Sequence, residues 1–286
     1  MNYKLSCAVL LSVVLLCGCS TDKKADAAQP VARKEGSVPP RPVAVETPTQ
    51  AYRAIAVANG GRLTGTVDFD GVFPSDSVIQ VPPETQGCGQ TIRTTAVERT
   101  GTKIGEVVVW LTDIRAGKPL PIERRFELAN SDCHFSPRVQ AVFAPGTLNV
   151  ASEDVAMHTN HIIDVATGEL AGLAPFNDNG EVVPFDSLLT KTAQLEVTCE
   201  LHPWSKAWIL VFDHPYFAVS QKNGSFAIPD IPAGTYRVKA WHPRLGTTEQ
   251  TVTVAAGQPA SLALKLGAAP ARAPRPAADS QSAAIR

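Results

Sequence analysis

Apolar and polar residues alternate with period two along much of the chain between residues 59 and 266. Leu63-Thr64-Gly65-Thr66-Val67-Asp68-Phe69 alternates, as do Leu195-Glu196-Val197-Thr198 and the set Tyr236, Val238 and Ala240. Phe226 and Ile228, Val252 and Val254, and Leu262, Leu264 and Leu266 repeat the same spacing. A period of two is the signature of half-buried strands. Glu106-Val107-Val108-Val109-Trp110-Leu111 is instead a short apolar run, as a strand buried on both faces requires. Asn223-Gly224, Pro232-Ala233-Gly234 and Ala256-Gly257 are turn signals between these segments. No stretch carries a sustained helical period. The pattern predicts an all-β protein made of sandwiches of short strands.

The two ends read differently. Leu5 to Leu16 is an apolar run behind Lys4, too short and too early for a membrane span, and it reads as the apolar part of a signal segment. Leu16-Cys17-Gly18-Cys19-Ser20 resembles a bacterial lipobox, with residues 1–19 as the lipoprotein signal peptide and Cys19 as the lipidated residue. A polar stretch follows Cys19 at once. Ser20 in the second place resembles the pattern sorted to the outer membrane of Gram-negative cells. Acyl chains on Cys19 would hold the protein on a membrane without a spanning helix. Residues 20–58 are rich in Ala, Pro, Lys and Glu and read as a disordered tether, reaching roughly 35 Å on average as a flexible coil. Residues 267–286, mostly Ala, Pro, Arg and Ser, read as a disordered tail.

Composition narrows the function. Apolar residues make up 44% and charged residues 19%, with a net charge of −1. There is no basic field for nucleic acid. Of six cysteines, Cys7 and Cys17 leave with the signal and Cys19 carries lipid, so Cys88, Cys133 and Cys199 remain. A compartment outside the inner membrane permits disulfides, and an odd count leaves one thiol to explain. Cys88 is paired with Cys133 here and Cys199 is assigned to metal. The plainer alternative makes Cys199 a buried free thiol.

Two segments carry the candidate chemistry. One is Glu153-Asp154-Val155-Ala156-Met157-His158-Thr159-Asn160-His161; the other is Val197-Thr198-Cys199-Glu200-Leu201-His202-Pro203-Trp204. Cys199 stands at the exit of an alternating strand, and His202 lies three positions on in a loop stiffened by Pro203. Cys199, His202 and the distant His158 suit a trigonal two-histidine, one-cysteine copper centre. Trp204 is a candidate cover for the site as well as a packing residue. His134, His214 and His242 read as capping or packing residues. No Ser-His-Asp grouping, paired carboxylates or phosphate-binding glycine loop points to hydrolysis.

Residues 223–242, with Gly224-Ser225-Phe226 and Pro232-Ala233-Gly234-Thr235-Tyr236-Arg237-Val238, resemble the carboxypeptidase regulatory-like (transthyretin-like) sandwich. Leu63–Phe69 and Val107–Leu111 resemble its opening strands. Val139 to Val150 and the Cys-x-x-His loop resemble a cupredoxin, the fold of plastocyanin and azurin. Residues 59–266 as a whole resemble bacterial plastocyanin-like proteins labelled methylamine utilisation proteins. The resemblance implies a cupredoxin Greek-key sandwich at 120–213, inserted into a regulatory-like sandwich at 59–119 plus 214–266. It further implies a periplasm-facing lipoprotein that binds one copper ion and passes single electrons to a redox protein, as a carrier rather than a catalyst.

Two departures qualify that expectation. The plastocyanin-like loop tends to read Cys-x-x-His-Pro-Trp-Met, but here Ser205 stands in the methionine place. Met157, beside His158, points to the opposite face of a strand and is a poor axial ligand. The copper is then three-coordinate, bonded to water, or completed by His161 or Glu200, with a lower potential than a methionine-ligated site. Thr159 replaces the asparagine that usually ties the two loops, and Asn160 faces the other side of the strand from it. Two other readings stand beside the electron carrier. One is a non-redox structural or adhesion module. The other is zinc or copper storage by His158, His161, Cys199 and His202 as a tetrahedral set.

Overall fold

The computed structural model describes residues 50–267; the signal segment, Cys19, most of the expected tether and nearly all of the expected tail lie outside the described residues. Every regular element among the described residues is a strand. No helix there is long and apolar enough to cross a membrane.

Four of the six sheets among the described residues stack in layers around three apolar interiors. Strands Ser225–Ile231, Gly61–Phe69, Lys103–Ile104 and Arg99–Thr100 form the first sheet, with Pro259–Leu266 running parallel to Gly61–Phe69. Strands Phe217–Val219, Val108–Leu111, Gly234–His242 and Gly246–Val254 form the second. Leu63, Val67, Val109, Leu111, Phe226, Val238 and Leu264 meet between them. The third sheet takes Val139–Phe143, Lys206–Phe212, Ala193–Cys199, His158–Asp164 and Leu170–Phe176 in that order. The fourth takes His134–Ser136, Arg125–Ser131, Gly146–Ser152 and Val182–Leu189. Leu128, Leu148, Val150, Ile162, Leu195, Val197 and Ile209 fill the space between the third and fourth.

The middle interior explains the apolar runs. Val109 and Leu111 face the first interior while Val108 and Trp110, on the opposite face, join Val139, Leu210, Phe212 and Trp241 in the middle one. Ile209 and Val211 likewise face the third interior, and Leu210 and Phe212 the middle one. A strand covered on both faces has no polar side to alternate with. The chain leaves the first two sheets after Val108–Leu111, builds the last two with residues 125–212, and returns at Phe217–Val219.

Two features differ from the expected organisation. Arg53–Ala54, inside the stretch read as tether, pairs parallel with Ala116–Gly117. Tyr52 anchors it: the hydroxyl donates to Lys118 O at 2.6 Å and the ring lies edge-on to Tyr216. Between Gly61–Phe69 and Val108–Leu111 the chain also makes a hairpin, Ser77–Gln80 with Thr91–Thr94. Its connecting arm carries Cys88 to Cys133, where Val81, Ile92, Ala156 and Trp204 pack around the bond.

Candidate metal centre

Antiparallel pairing of His158–Asp164 with Ala193–Cys199 sets Asn160 opposite Cys199. His158, Asn160 and Ile162 turn inward, and Thr159 and His161 turn outward, as strand alternation dictates. His158 and Cys199 are thereby buried side by side near the end of the third interior. His202 comes back over them because the chain turns after Cys199, with Ser205 N donating to His202 O at 2.8 Å.

The three side chains converge. Cys199 Sγ lies 3.3 Å from His202 Nδ1 and 3.6 Å from His158 Nδ1. The three donor atoms all fall within 4.8 Å of one another. Ligand atoms bonded to one ion at about 2.0–2.3 Å, with angles near 110–120°, stand roughly 3.3–3.7 Å apart, so the two sulfur–nitrogen separations fit one small ion.

Both rings present the correct nitrogen. His158 Nε2 lies 3.0 Å from Asp154 Oδ2, and a carboxylate oxygen only accepts, so Nε2 carries the proton and the Nδ1 lone pair faces Cys199. Asp154 Oδ2 also accepts from Cys133 N at 2.9 Å. His202 Nε2 lies 3.2 Å from Cys88 Sγ, so its Nδ1 likewise faces Cys199. Burial favours neutral imidazoles: it lowers His158, which Asp154 opposes, and pushes His202 down to about 4 with help from His158. Burial raises the Cys199 thiol, while the backbone N–H groups of Thr159, Leu201 and His202 pull in the other direction. Such a sulfur stays protonated until a cation displaces the proton.

The remaining site candidates are distributed around this centre. His161 and Glu200, the candidates for a fourth ligand, lie on the solvent side of the strand, 3.6 Å apart and outside the cluster. The outward step of the alternation sets His161 apart from the three converging side chains. Met157 is 58% exposed where His158 is 1% exposed, so it too lies off the centre. Ser205 is buried, and its hydroxyl has no hydrogen-bond partner among the described residues. The tie between the two loops is made by backbone: Glu200 N donates to Thr159 O at 2.9 Å. Asn160 bonds the side chain of Asn130 instead. The Trp204 ring lies edge-on to His202 at 5.2 Å, and its N–H donates to Cys133 O at 3.0 Å. His134 Nδ1 meets Asp132 O, His214 Nδ1 accepts from Tyr216 N, and His242 Nδ1 accepts from Arg244 N.

Sequence reasoning assigned no role to Asp154 and did not foresee that the Cys88–Cys133 bond touches His202. The only local signal for the first is the four-residue spacing from Asp154 to His158. For the second there is none, since residues 88 and 202 are joined only by the fold.

Residues 202–267 match the family model of the carboxypeptidase regulatory-like domain. The match begins at His202 and takes in Lys206–Phe212, which pairs within the third sheet. A comparison with curated proteins gives no match. Among solved structures, the chain is similar to a copper-containing nitrite reductase from Thermus scotoductus SA-01, at 25% identity over 35% of this chain and 24% of that one, TM-score 0.28. The chain thus spans about a quarter of that enzyme. It is also similar to a methionine-to-alanine mutant of amicyanin in the Cu(I) form, at 12% identity over 30% of this chain and 81% of that one, TM-score 0.26. A purple cupredoxin from Nitrosopumilus maritimus matches at 18% identity over 30% of this chain and 98% of that one, TM-score 0.24.

Proposed function

We propose that residues 120–213 form a cupredoxin domain holding one copper ion, and that the protein carries single electrons. The observation that supports this most is the convergence of Cys199 Sγ with the Nδ1 atoms of His158 and His202, each ring turned by a partner on its far nitrogen. One thiolate and two imidazoles are the equatorial set of a one-electron copper site. Asp154 orients His158, the turn to Ser205 orients His202, and Trp204 with the Cys88–Cys133 bond closes one side against water. A rigid cage of this kind suits a carrier, because its ligands need not move when the charge on the ion changes.

The partner is a redox protein. Val155, Met157 and Leu201 form an exposed apolar rim beside His202, the surface a transient partner would cover. Lipidation of Cys19 would hold the protein on the periplasmic side of a bacterial envelope, most simply the outer membrane. Labelling with a radioactive fatty acid, lost in Cys19→Ala, tests the anchor.

The copper reading is tested by visible absorption of the full chain with Cu(II), alongside Cys199→Ser. An intense band in the native protein that is missing in the variant is expected. A colourless native protein, correctly folded and with Cys199 reduced, would overturn it.

A further inference from the structure

The Cys88–Cys133 bond lies against the nitrogen of His202 that faces away from Cys199. Cys88 Sγ is 3.2 Å from His202 Nε2, and one donor atom from each of Cys88, Cys133 and His202 falls within a common 4.8 Å. All three residues are buried. A metal-bound histidine ordinarily gives its second N–H to a carboxylate, a carbonyl or water. Here it meets a disulfide sulfur, a weak acceptor. As thiolates the same two sulfurs would be strong ligands for soft ions.

We infer that Cys88, Cys133 and His202 form a second metal site, suited to monovalent copper, that exists only when the disulfide is reduced. A dithiol reductant opens it: the Cys88–Cys133 bond breaks, two electrons and two protons arrive at its sulfurs, and the reductant leaves as its own disulfide. Cu(I) then replaces the two thiol protons, which pass to solvent, and its oxidation state does not change. His202 Nε2 completes a two-sulfur, one-nitrogen set; where Nδ1 already holds an ion, the Nε2 proton leaves as well.

An opening reaches the shared histidine. A cavity of about 370 Å³ is lined by Gln86, Ala156, Met157, Leu201 and His202. Gln86 belongs to the arm that carries Cys88, and Met157 sets a soft, exposed thioether in the wall, the one methionine among the described residues. The arm is closely seated. A side chain at Gly87, whose φ is +92°, would meet Ala156 at 2.9 Å. Cys88 is therefore held at His202 by backbone packing as well as by the disulfide, so the sulfurs are placed to stay near the ring once the bond opens.

The site shares His202 with the proposed electron-carrying centre but does not depend on it. The test uses the full chain without air, with Cu(I) alone presented against a chromogenic chelator. Copper per chain is counted before and after treatment with a phosphine that is then removed. The expected result is a gain of one copper on reduction. That gain should be absent in the Cys88→Ser/Cys133→Ser variant, and binding should weaken about 10–100-fold in His202→Ala. The Cys199→Ser variant should keep the gain while lacking any visible band with Cu(II), so loss of one site is told apart from loss of the other. An unchanged count in a native chain shown to have gained two thiols would overturn the proposal. So would a gain that survives in the double serine variant, or one that comes only with loss of the β circular-dichroism spectrum.

Discussion

Asp154 stands directly behind His158: its Oδ2 lies 3.0 Å from the ring Nε2, while the opposite ring nitrogen faces Cys199 Sγ at 3.6 Å. The same oxygen accepts from Cys133 N, so one carboxylate fixes both the first histidine and the backbone at the disulfide. Removing such a partner typically costs about 10–100-fold in metal affinity. Asp154→Ala is therefore expected to weaken copper binding by that order, and Asp154→Asn, which still offers an acceptor, by less. Competition titration against a copper chelator measures both. Equal affinities for all three proteins would remove Asp154 from the site.

Ser205 carries a buried hydroxyl with no partner among the described residues, at the place where a plastocyanin-like loop tends to have methionine. An unsatisfied buried polar group costs about 1–3 kcal/mol. Ser205→Ala is expected to raise the stability of the metal-free protein by about 1–2 kcal/mol in urea unfolding. Ser205→Met restores a soft sulfur that favours Cu(I), and the potential of the copper form is expected to rise. A potential that stays level or falls in a redox titration would show that residue 205 does not reach the ion.

Asn130 and Asn160 are fully buried and bonded to each other across the third interior. Asn130→Ala leaves the Asn160 amide without that partner. The expected loss is about 2–3 kcal/mol, since an orphaned buried amide costs more than the bond contributed. Replacing both by leucine should cost less than the single change, because no polar group is then stranded. Denaturant unfolding of the single and double variants decides the order.

Stability should fall in acid for a reason remote from the metal. Burial pushes His214 down to about 4 and His242 to about 3 from the ordinary 6.5, with Arg115 beside the first and Arg138 and Arg244 beside the second. Below 6.5 the unfolded chain takes protons on these rings that the folded chain refuses. Stability is therefore complete above that pH and declines as the pH falls toward the folded values. The loss is at most about 1.4 kcal/mol per pH unit for each ring. His242→Gln should flatten the acid limb by about one proton. An unchanged slope in urea unfolding across that range would place the acid sensitivity elsewhere.

The all-β class was legible because period-two alternation is local: each of Leu63–Phe69, Leu195–Thr198 and Tyr236–Ala240 carries its own evidence of a buried face. The apolar run through Val108 and Trp110 announced burial on both sides in the same way. Residue type and spacing singled out Cys199 and His202, and the cupredoxin resemblance added His158. Pairings across long stretches of chain were settled only by the tertiary structure. It set Val139–Phe143 parallel to Lys206–Phe212, brought the arm with Cys88 to His202, and put Asp154 behind His158. It also left His161 and Glu200 outside the cluster, His161 by the outward step of its strand and Glu200 in the exposed bend after Cys199. Patterning records which face of a strand is buried. Which distant side chain covers that face depends on how four sheets share three interiors, and no single segment contains that information.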